Sequence, residues 1–364
     1  MKILLLSNSG EGIYRFRKEL LQELVKNNEV FVSIPKNQYN QKIKDIGCEI
    51  IETDIDRRGT SVVKDLSLIR HYKQIIKSVK PDVVLTYTIK PNIYGGYVCR
   101  KYKIPYLANI TGLGSALENK GILQFITSNM YKFALKKADT VFFQNEASKN
   151  FMRQLGIVKD NYVMIPGSGV NLKEYTVKEY PDDKTIEFVF VGRIMKEKGF
   201  DQYVEAARYI KEKYPKTRFN ICGFYEDDYA EIMNKLIADD IVVYHGAIEN
   251  MVDMYSKIHC TVHPTYYPEG MSNVLLESLA CGRPIITTDR PGCREIVEDG
   301  VNGFIVKQKD SADLIEKIEK FISLTNKQRA QLGLNGRRKV EELFDRNIVI
   351  DKYIDAINEA TNNV

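Results

Sequence analysis

No stretch of the sequence approaches the roughly 20 consecutive apolar residues that a membrane-spanning helix needs, so none is expected. The apolar run at residues 1–9 is too short for a secretory leader and gives way at once to Gly10 and Glu11, so no leader is expected either. The six cysteines, at 48, 99, 222, 260, 281 and 293, show no C-x-x-C or paired spacing, and most lie in apolar runs. That argues against a disulfide framework and for reduced thiols in a cytoplasmic protein. Internal sequence repeats and low-complexity segments are missing too. Histidine is scarce, with only His71, His245, His259 and His263 to draw on.

What is present is ordinary in amount: 364 residues, 44% hydrophobic and 28% charged. A chain this long exceeds what one hydrophobic core supports, so two domains are expected. The net charge of +5 conceals a split, because residues 1–168 carry 26 Lys and Arg against 15 Asp and Glu, or +11, and the remainder 27 against 33, or −6. The first half is therefore expected to face something anionic, a membrane surface or a phosphorylated acceptor, unless the excess is only a basic exterior. No nucleic-acid partner is expected.

Short β-rich runs alternate with helical periodicity from the start. Residues 2–7, 30–34, 48–52, 83–87, 106–110, 140–144 and 162–165 read as strands. Between them, 13–26 carries apolar residues at 13, 16, 20, 21, 24 and 25, the spacing of a helix with one buried face. Residues 66–79, 91–101, 122–137 and 147–155 read as further helices. From 167 to 184 the periodicity lapses and turn residues accumulate, which marks a connection. The alternation then resumes, with strands at 186–191, 218–222, 241–244, 260–263, 284–288 and 303–306. Helices are expected at 200–214, 229–239 and 251–257, and the tail from 312 is helical. Repeated βα units predict an α/β protein of two doubly wound, Rossmann-like domains facing across a cleft that holds the ligand. The first domain is expected over 1–166, joined by a C-terminal helix of about 346–364, and the second over 167–345.

One stretch, 265–284, concentrates the chemistry. It reads as a Pro-bounded loop followed by an Ala- and Leu-rich helix that begins near Gly270 and stops at Gly282 and Pro284. The N–H groups of a first helical turn have no intrahelical partner, so Gly270, Met271, Ser272, Asn273 and Val274 form an anion cradle. Gly270, lacking a side chain, lets a ligand approach the main chain. Glu269 and Glu277 lie eight apart (277 − 269) and are placed to grip opposite ends of an elongated ligand, the plain alternative being two solvated acids. Gly-marked turns follow the first strand of each domain. Ser9-Gly10-Glu11-Gly12-Ile13-Tyr14 has the context of a phosphate-approaching loop, but Arg15 stands where a dinucleotide fingerprint needs its third glycine. Gly192-Arg193 and Lys198-Gly199 bring a guanidinium and an ammonium toward a helix start, as a diphosphate requires, or else are two solvated cations.

Gly192-Arg193, Lys198-Gly199, Asp253-Met254-Tyr255, Pro264 with Glu269-Gly270, Glu277 with Ala280-x-Gly282-x-Pro284, and Glu295 to Gly303 run in a familiar order and spacing. Together they resemble the retaining glycosyltransferases of the GT-B fold, family four, whose E-x7-E motif matches Glu269 and Glu277. The likeness spans essentially the whole chain. It is sharpest over 190–306 and over 1–168 rests on the Gly10 loop and the order of elements. The runs 86–92 and 109–116 resemble enzymes that extend polyprenyl-diphosphate-linked sugars for capsule, O-antigen or bacterial N-glycan assembly.

The resemblance implies a nucleotide-sugar donor, with uracil as the base, and no further cofactor or obligatory metal. It implies that Glu277 accepts hydrogen bonds from the ribose hydroxyls. Arg193 and Lys198 hold the diphosphate and stabilise the charge that gathers there as the glycosidic bond breaks. Glu269 and the main chain of 270–273 hold the sugar, so the catalytic residues it implies are Glu269, Arg193 and Lys198. Gly223 and Glu249 join Gly270 to Val274 on the donor side, and Gly10 and Gly12 approach the donor phosphate when the cleft closes. Arg15, Lys90, Thr111 and Gly112 fall on the acceptor or sugar side. The family retains anomeric configuration with the donor phosphate taking the acceptor proton, so no enzyme nucleophile is required.

This chain departs from the family pattern in one place. Many members carry a histidine in the first-domain loop that here runs through Asn109-Ile110-Thr111, and none stands there in this chain, so Thr111, Gly112 or another group fills that space. His263 reads as a strand-end residue packed beside Pro264. Asp54-Ile55-Asp56 has the D-x-D form by which another transferase fold holds a divalent metal, but it reads as a charged turn beside Arg57 and Arg58. The apolar and basic helix at 122–137, with Lys132, Lys136 and Lys137, is expected to rest on the anionic inner face of a membrane, or else to pack with a basic outer face. Two other readings stay open: a nucleotide-sugar 2-epimerase of the same fold, and a non-catalytic nucleotide-sugar-binding protein.

Overall fold

Ile3, Leu4, Leu5 and Leu6 are wholly buried, which successive strand residues achieve only when both faces of the sheet are covered. Ile3 and Leu5 enter one core with Val83, Leu85, Leu107 and Phe142, while Leu4 and Leu6 enter a second with Val84, Ala108 and Val141. The computed structural model describes residues 1–56, 59, 61–118, 120–225 and 229–362, and Arg57 and Arg58 lie outside them. Two units result. One comprises Met1–Ser168, Glu269–Met271 and Arg346–Val364, and the other Gly169–Pro268 and Ser272–Asp345. Gly167, Ser168 and Glu269–Met271, assigned to the second domain from the sequence, thus count with the first unit.

The first unit is a parallel sheet of seven strands: β1 (Lys2–Leu6), β2 (Glu29–Ile34), β3 (Glu49–Glu52), β4 (Val83–Tyr87), β5 (Tyr106–Ile110), β6 (Thr140–Phe143) and β7 (Tyr162–Met164). Their order is β3-β2-β1-β4-β5-β6-β7, so the direction of winding reverses between β1 and β4. The C-terminal helix Arg346–Asn362 belongs here for a packing reason. Its Tyr353 lies 4.5 Å ring to ring from Phe142 of β6, and its hydroxyl bonds the Asn109 side chain. The buried Arg17 guanidinium stands 5.3 Å from the Tyr87 ring and 5.5 Å from that of Tyr353. The helix expected over 91–101 opens as a π turn, Pro91–Gly95, before continuing as Gly96–Tyr102. There the buried Asn92 side chain accepts from Thr86 Oγ1 (2.7 Å) and donates to Asn109 O (2.8 Å), bonds the sequence does not announce.

The second unit is a parallel sheet of six strands: β8 (Ile186–Val191), β9 (Thr217–Cys222), β10 (Val243–Tyr244), β11 (Cys260–His263), β12 (Ile285–Thr288) and β13 (Gly303–Val306). The order β10-β9-β8-β11-β12-β13 puts the reversal between β8 and β11. Phe188 and Phe190 face one core with Phe219, Ile221 and Val262, whereas Val189 faces another with Cys222 and Tyr255. Ligands of open α/β sheets bind at such reversals, beyond the carboxyl ends of the strands.

Candidate functional site

The chain leaving β8 passes through Gly192 and Arg193, makes a 3₁₀ turn at Lys196–Lys198 and enters the helix Phe200–Lys213. The chain leaving β11 passes through Pro264 to Tyr267. These two loops flank the reversal of the second sheet, and their side chains meet on one ring. The Arg193 guanidinium carbon lies 5.4 Å and Lys198 Nζ 5.2 Å from the centroid of Tyr267. Arg193 is half-buried, and among the described residues no carboxylate pairs with it.

The helix that carries Glu277 begins later than expected. It spans Asn273–Ala280 with Ser272 as its N-cap, not from near Gly270, because the Ser272 N–H is spent on Gly292 O (2.9 Å) and its backbone is extended. Among the described residues, Ser272 Oγ and Asn273 Oδ1 are nonetheless buried without a hydrogen-bond partner, and Ser272 is 1% exposed. An orphaned buried polar atom costs about 1–3 kcal/mol, a cost that an incoming ligand can cancel. Glu277, half-buried, lies near the buried Tyr255. Burial, and after it the Glu277 charge, hold that phenol well above its usual range, so Tyr255 stays protonated and donates to Val274 O (3.2 Å). Gly223 leaves β9 against the Gly192 carbonyl, and both its peptide groups are taken: its N–H by Gly246 O (2.8 Å) and its carbonyl by Tyr244 OH (2.8 Å). Glu249 stands on an exposed turn before the helix Met251–Lys257.

Glu269, Gly270 and Met271 sit with the first unit, and the reason is specific. A Cβ on Gly270 would lie 2.2 Å from Gln144 Oε1 and 2.5 Å from Thr111 O, so the space expected to admit a ligand is filled by the protein itself. Asn145 Nδ2 donates to Gly270 O (2.6 Å) and Glu269 O (3.3 Å). The same side chain caps the helix Glu146–Gln154 through Oδ1, which accepts from Ser148 N (2.8 Å). Asn145 was missed from the sequence, although an Asn between a strand and a helix start is the signal that finds it.

Most of the remaining first-unit candidates are likewise occupied. Gly10 opens the helix Gly10–Leu24, and Asn37 fills the place of its missing side chain. The Gly12 N–H is bound by the capping Ser9 Oγ (3.0 Å). Neither glycine thus offers the bare approach expected of it. Arg15 pairs with Glu11 (2.9 Å) and Lys90 with Asp65 (2.7 Å), which Tyr94 OH also bonds. Thr111 is exposed, and Gly112, at φ 138, follows it. Asp56 of the D-x-D run accepts from Gly59 N (2.8 Å) and pairs with Lys64 (3.0 Å). His71 bonds Thr53 Oγ1 (3.1 Å), and His263 is buried at the end of β11.

Residues 2–145 match the family described as glycosyl transferase 4-like, and residues 173–339 the one described as glycosyl transferases group 1. The chain is 28% identical over 382 residues, covering all of both chains, to the N,N'-diacetylbacillosaminyl-diphospho-undecaprenol alpha-1,3-N-acetylgalactosaminyltransferase of Campylobacter jejuni. It is 27% identical over 308 residues to the capsular polysaccharide biosynthesis glycosyltransferase CapM of Staphylococcus aureus, covering 79% of this chain and 80% of that one. Among solved structures, that of Anabaena HepE in complex with UDP-glucose superimposes with a TM-score of 0.82 at 19% identity, covering all of both chains. At that identity the likeness is one of fold, the GT-B fold.

Proposed function

We propose that this chain, a glycosyltransferase with a 4-like first half and a group 1 second half, moves a hexose or N-acetylhexosamine from a UDP donor to a polyprenyl-diphosphate-linked saccharide, with retention. The observation that carries the donor side is the half-buried Arg193, gathered with Lys198 on Tyr267 at the reversal of the second sheet. The acceptor class rests on the full-length likeness to a transferase whose name specifies a diphospho-undecaprenol-linked sugar. Arg193 and Lys198 receive the diphosphate, Glu277 the ribose, and Glu269 the transferred sugar. As the bond from the anomeric carbon to the β-phosphate oxygen breaks, negative charge gathers on that phosphate and the two cations stabilise it. The acceptor hydroxyl forms the new bond on the same face and passes its proton to the leaving phosphate oxygen, which accounts for retention without an enzyme nucleophile.

The acceptor would be reached at a membrane. On the helix Ile122–Leu135, Ile122 is 81% and Phe125 71% exposed, Leu123 and Ile126 are exposed beside them, and Lys120, Lys132, Lys136 and Lys137 are exposed along the same segment. Apolar side chains with lysines around them suit an anionic inner leaflet. Among the described residues no helix is long and apolar enough to cross a membrane.

The test is a panel of UDP-sugars incubated with and without a polyprenyl-diphosphate-linked saccharide. Transfer that keeps the anomeric configuration is expected. Donor interconversion without transfer would point to the epimerase reading. Sedimentation with anionic vesicles at low salt, lost with neutral vesicles, is the outcome expected of the exposed helix.

A further inference from the structure

Backbone bonds tie together the two loops at the reversal of the second sheet. Tyr266 N donates to Glu197 O (2.8 Å), and Thr265 Oγ1 donates to the same carbonyl (3.4 Å). Gly199, at φ 78, completes the seam. A Cβ there would stand 2.2 Å from Pro264 O, so glycine alone permits the approach. Tyr267 N then bonds Thr265 Oγ1 (3.2 Å), which fixes where the ring begins. The β11 loop that carries the ring is thus tied to the β8 loop that carries both Arg193 and Lys198.

An aromatic face is electronegative, and at 5.4 and 5.2 Å it attracts both cations, offsetting the repulsion of two like charges brought to one place. A guanidinium carries five N–H donors, so one drawn to a ring by its charge still has donors to offer an anion. We propose that Tyr267 is a positioning residue: it sets Arg193 and Lys198 in their anion-receiving arrangement before a nucleotide arrives, and so makes the site prefer a nucleoside diphosphate to a monophosphate. This rests on the reading that those two cations receive the donor diphosphate.

The test is calorimetric titration of UDP and UMP into the full-length protein and its variants. Tyr267→Leu is expected to weaken UDP about tenfold and to leave UMP within about twofold, while Tyr267→Phe, which keeps the ring, retains the preference. In turnover, Tyr267→Leu raises the donor KM more than it lowers kcat. Unchanged UDP affinity in Tyr267→Leu, or an equal loss for UDP and UMP, overturns the proposal. Arg193→Ala and Lys198→Ala separate it from the reading beneath it. If they abolish the preference and Tyr267→Leu does not, only the role of Tyr267 falls. If they leave UDP binding intact, the diphosphate site itself is elsewhere and the inference falls with it.

Discussion

Around the loops that leave β1 and β4 the cations are already matched, Arg15 with Glu11 and Lys90 with Asp65, and the glycines are filled by Asn37 and the Ser9 cap. Around those that leave β8 and β11, among the described residues, Arg193 rests on an aromatic ring with no carboxylate partner, and Ser272 Oγ and Asn273 Oδ1 lie buried without a hydrogen bond. A paired cation surrenders one partner to take an anion, whereas an unpaired, half-buried one gains by it. The two reversals share a topology and differ in what they hold in reserve. The +11 of residues 1–168 accordingly says little about the first reversal, and its exposed lysines along 120–137 sit beside exposed apolar side chains.

The largest expected effect tests the reserve directly. Arg193→Ala should lower kcat for sugar transfer by about 100- to 1000-fold, as loss of a charge-stabilising group does, with little change in melting temperature. Activity within tenfold of wild type would erase the contrast.

A second effect uses the opposite ends of the same two strands. His259 lies buried where β8 and β11 begin, accepting from Glu187 N at Nδ1 (3.0 Å) and bonding Asp182 O through Nε2 (3.0 Å). Burial, with help from Arg329 and Arg283, depresses its pKa from 6.5 to about 4. Between those values the unfolded chain binds the extra proton, so the stability from neutral His259 is full above about pH 6.5 and is lost as pH falls toward 4. The loss is on the order of 3 kcal/mol. Urea unfolding across that range should show it in wild type and not in His259→Gln, with UDP affinity at neutral pH the same in both.

Changes around the first reversal should register as stability. Gly270→Ala forces a methyl group against Thr111 O and Gln144 Oε1 and is expected to cost about 2 kcal/mol in chemical denaturation. Lys90→Ala, which leaves Asp65 with Tyr94 as its one side-chain partner among the described residues, should cost about 1 kcal/mol and leave UDP affinity unchanged. A loss of donor affinity in Lys90→Ala would show that the first reversal is less self-contained than its hydrogen bonds imply.

Much of the fold was legible because burial on two faces demands unbroken apolar runs, and Ile3 to Leu6 or Phe188 to Phe190 can satisfy nothing else. The spacing of Arg193, Lys198, Glu269 and Glu277 was legible too, since it is a property of the chain. Less legible were residues whose meaning depends on a distant neighbour. Gly10 and Gly270 look like openings for a ligand until Asn37, Thr111 and Gln144 arrive to fill them. Tyr267 looks like one more loop aromatic until Arg193 and Lys198 converge on it.

The sequence by itself determined the two parallel sheets, their strands and the residue types at the candidate site, because hydrophobic period and motif spacing are local quantities. Only the tertiary structure decided which glycines are filled, whether Arg193 meets a carboxylate and which buried polar atoms lack a hydrogen bond among the described residues. Those depend on what the chain brings alongside from tens or hundreds of residues away, and no local pattern encodes it.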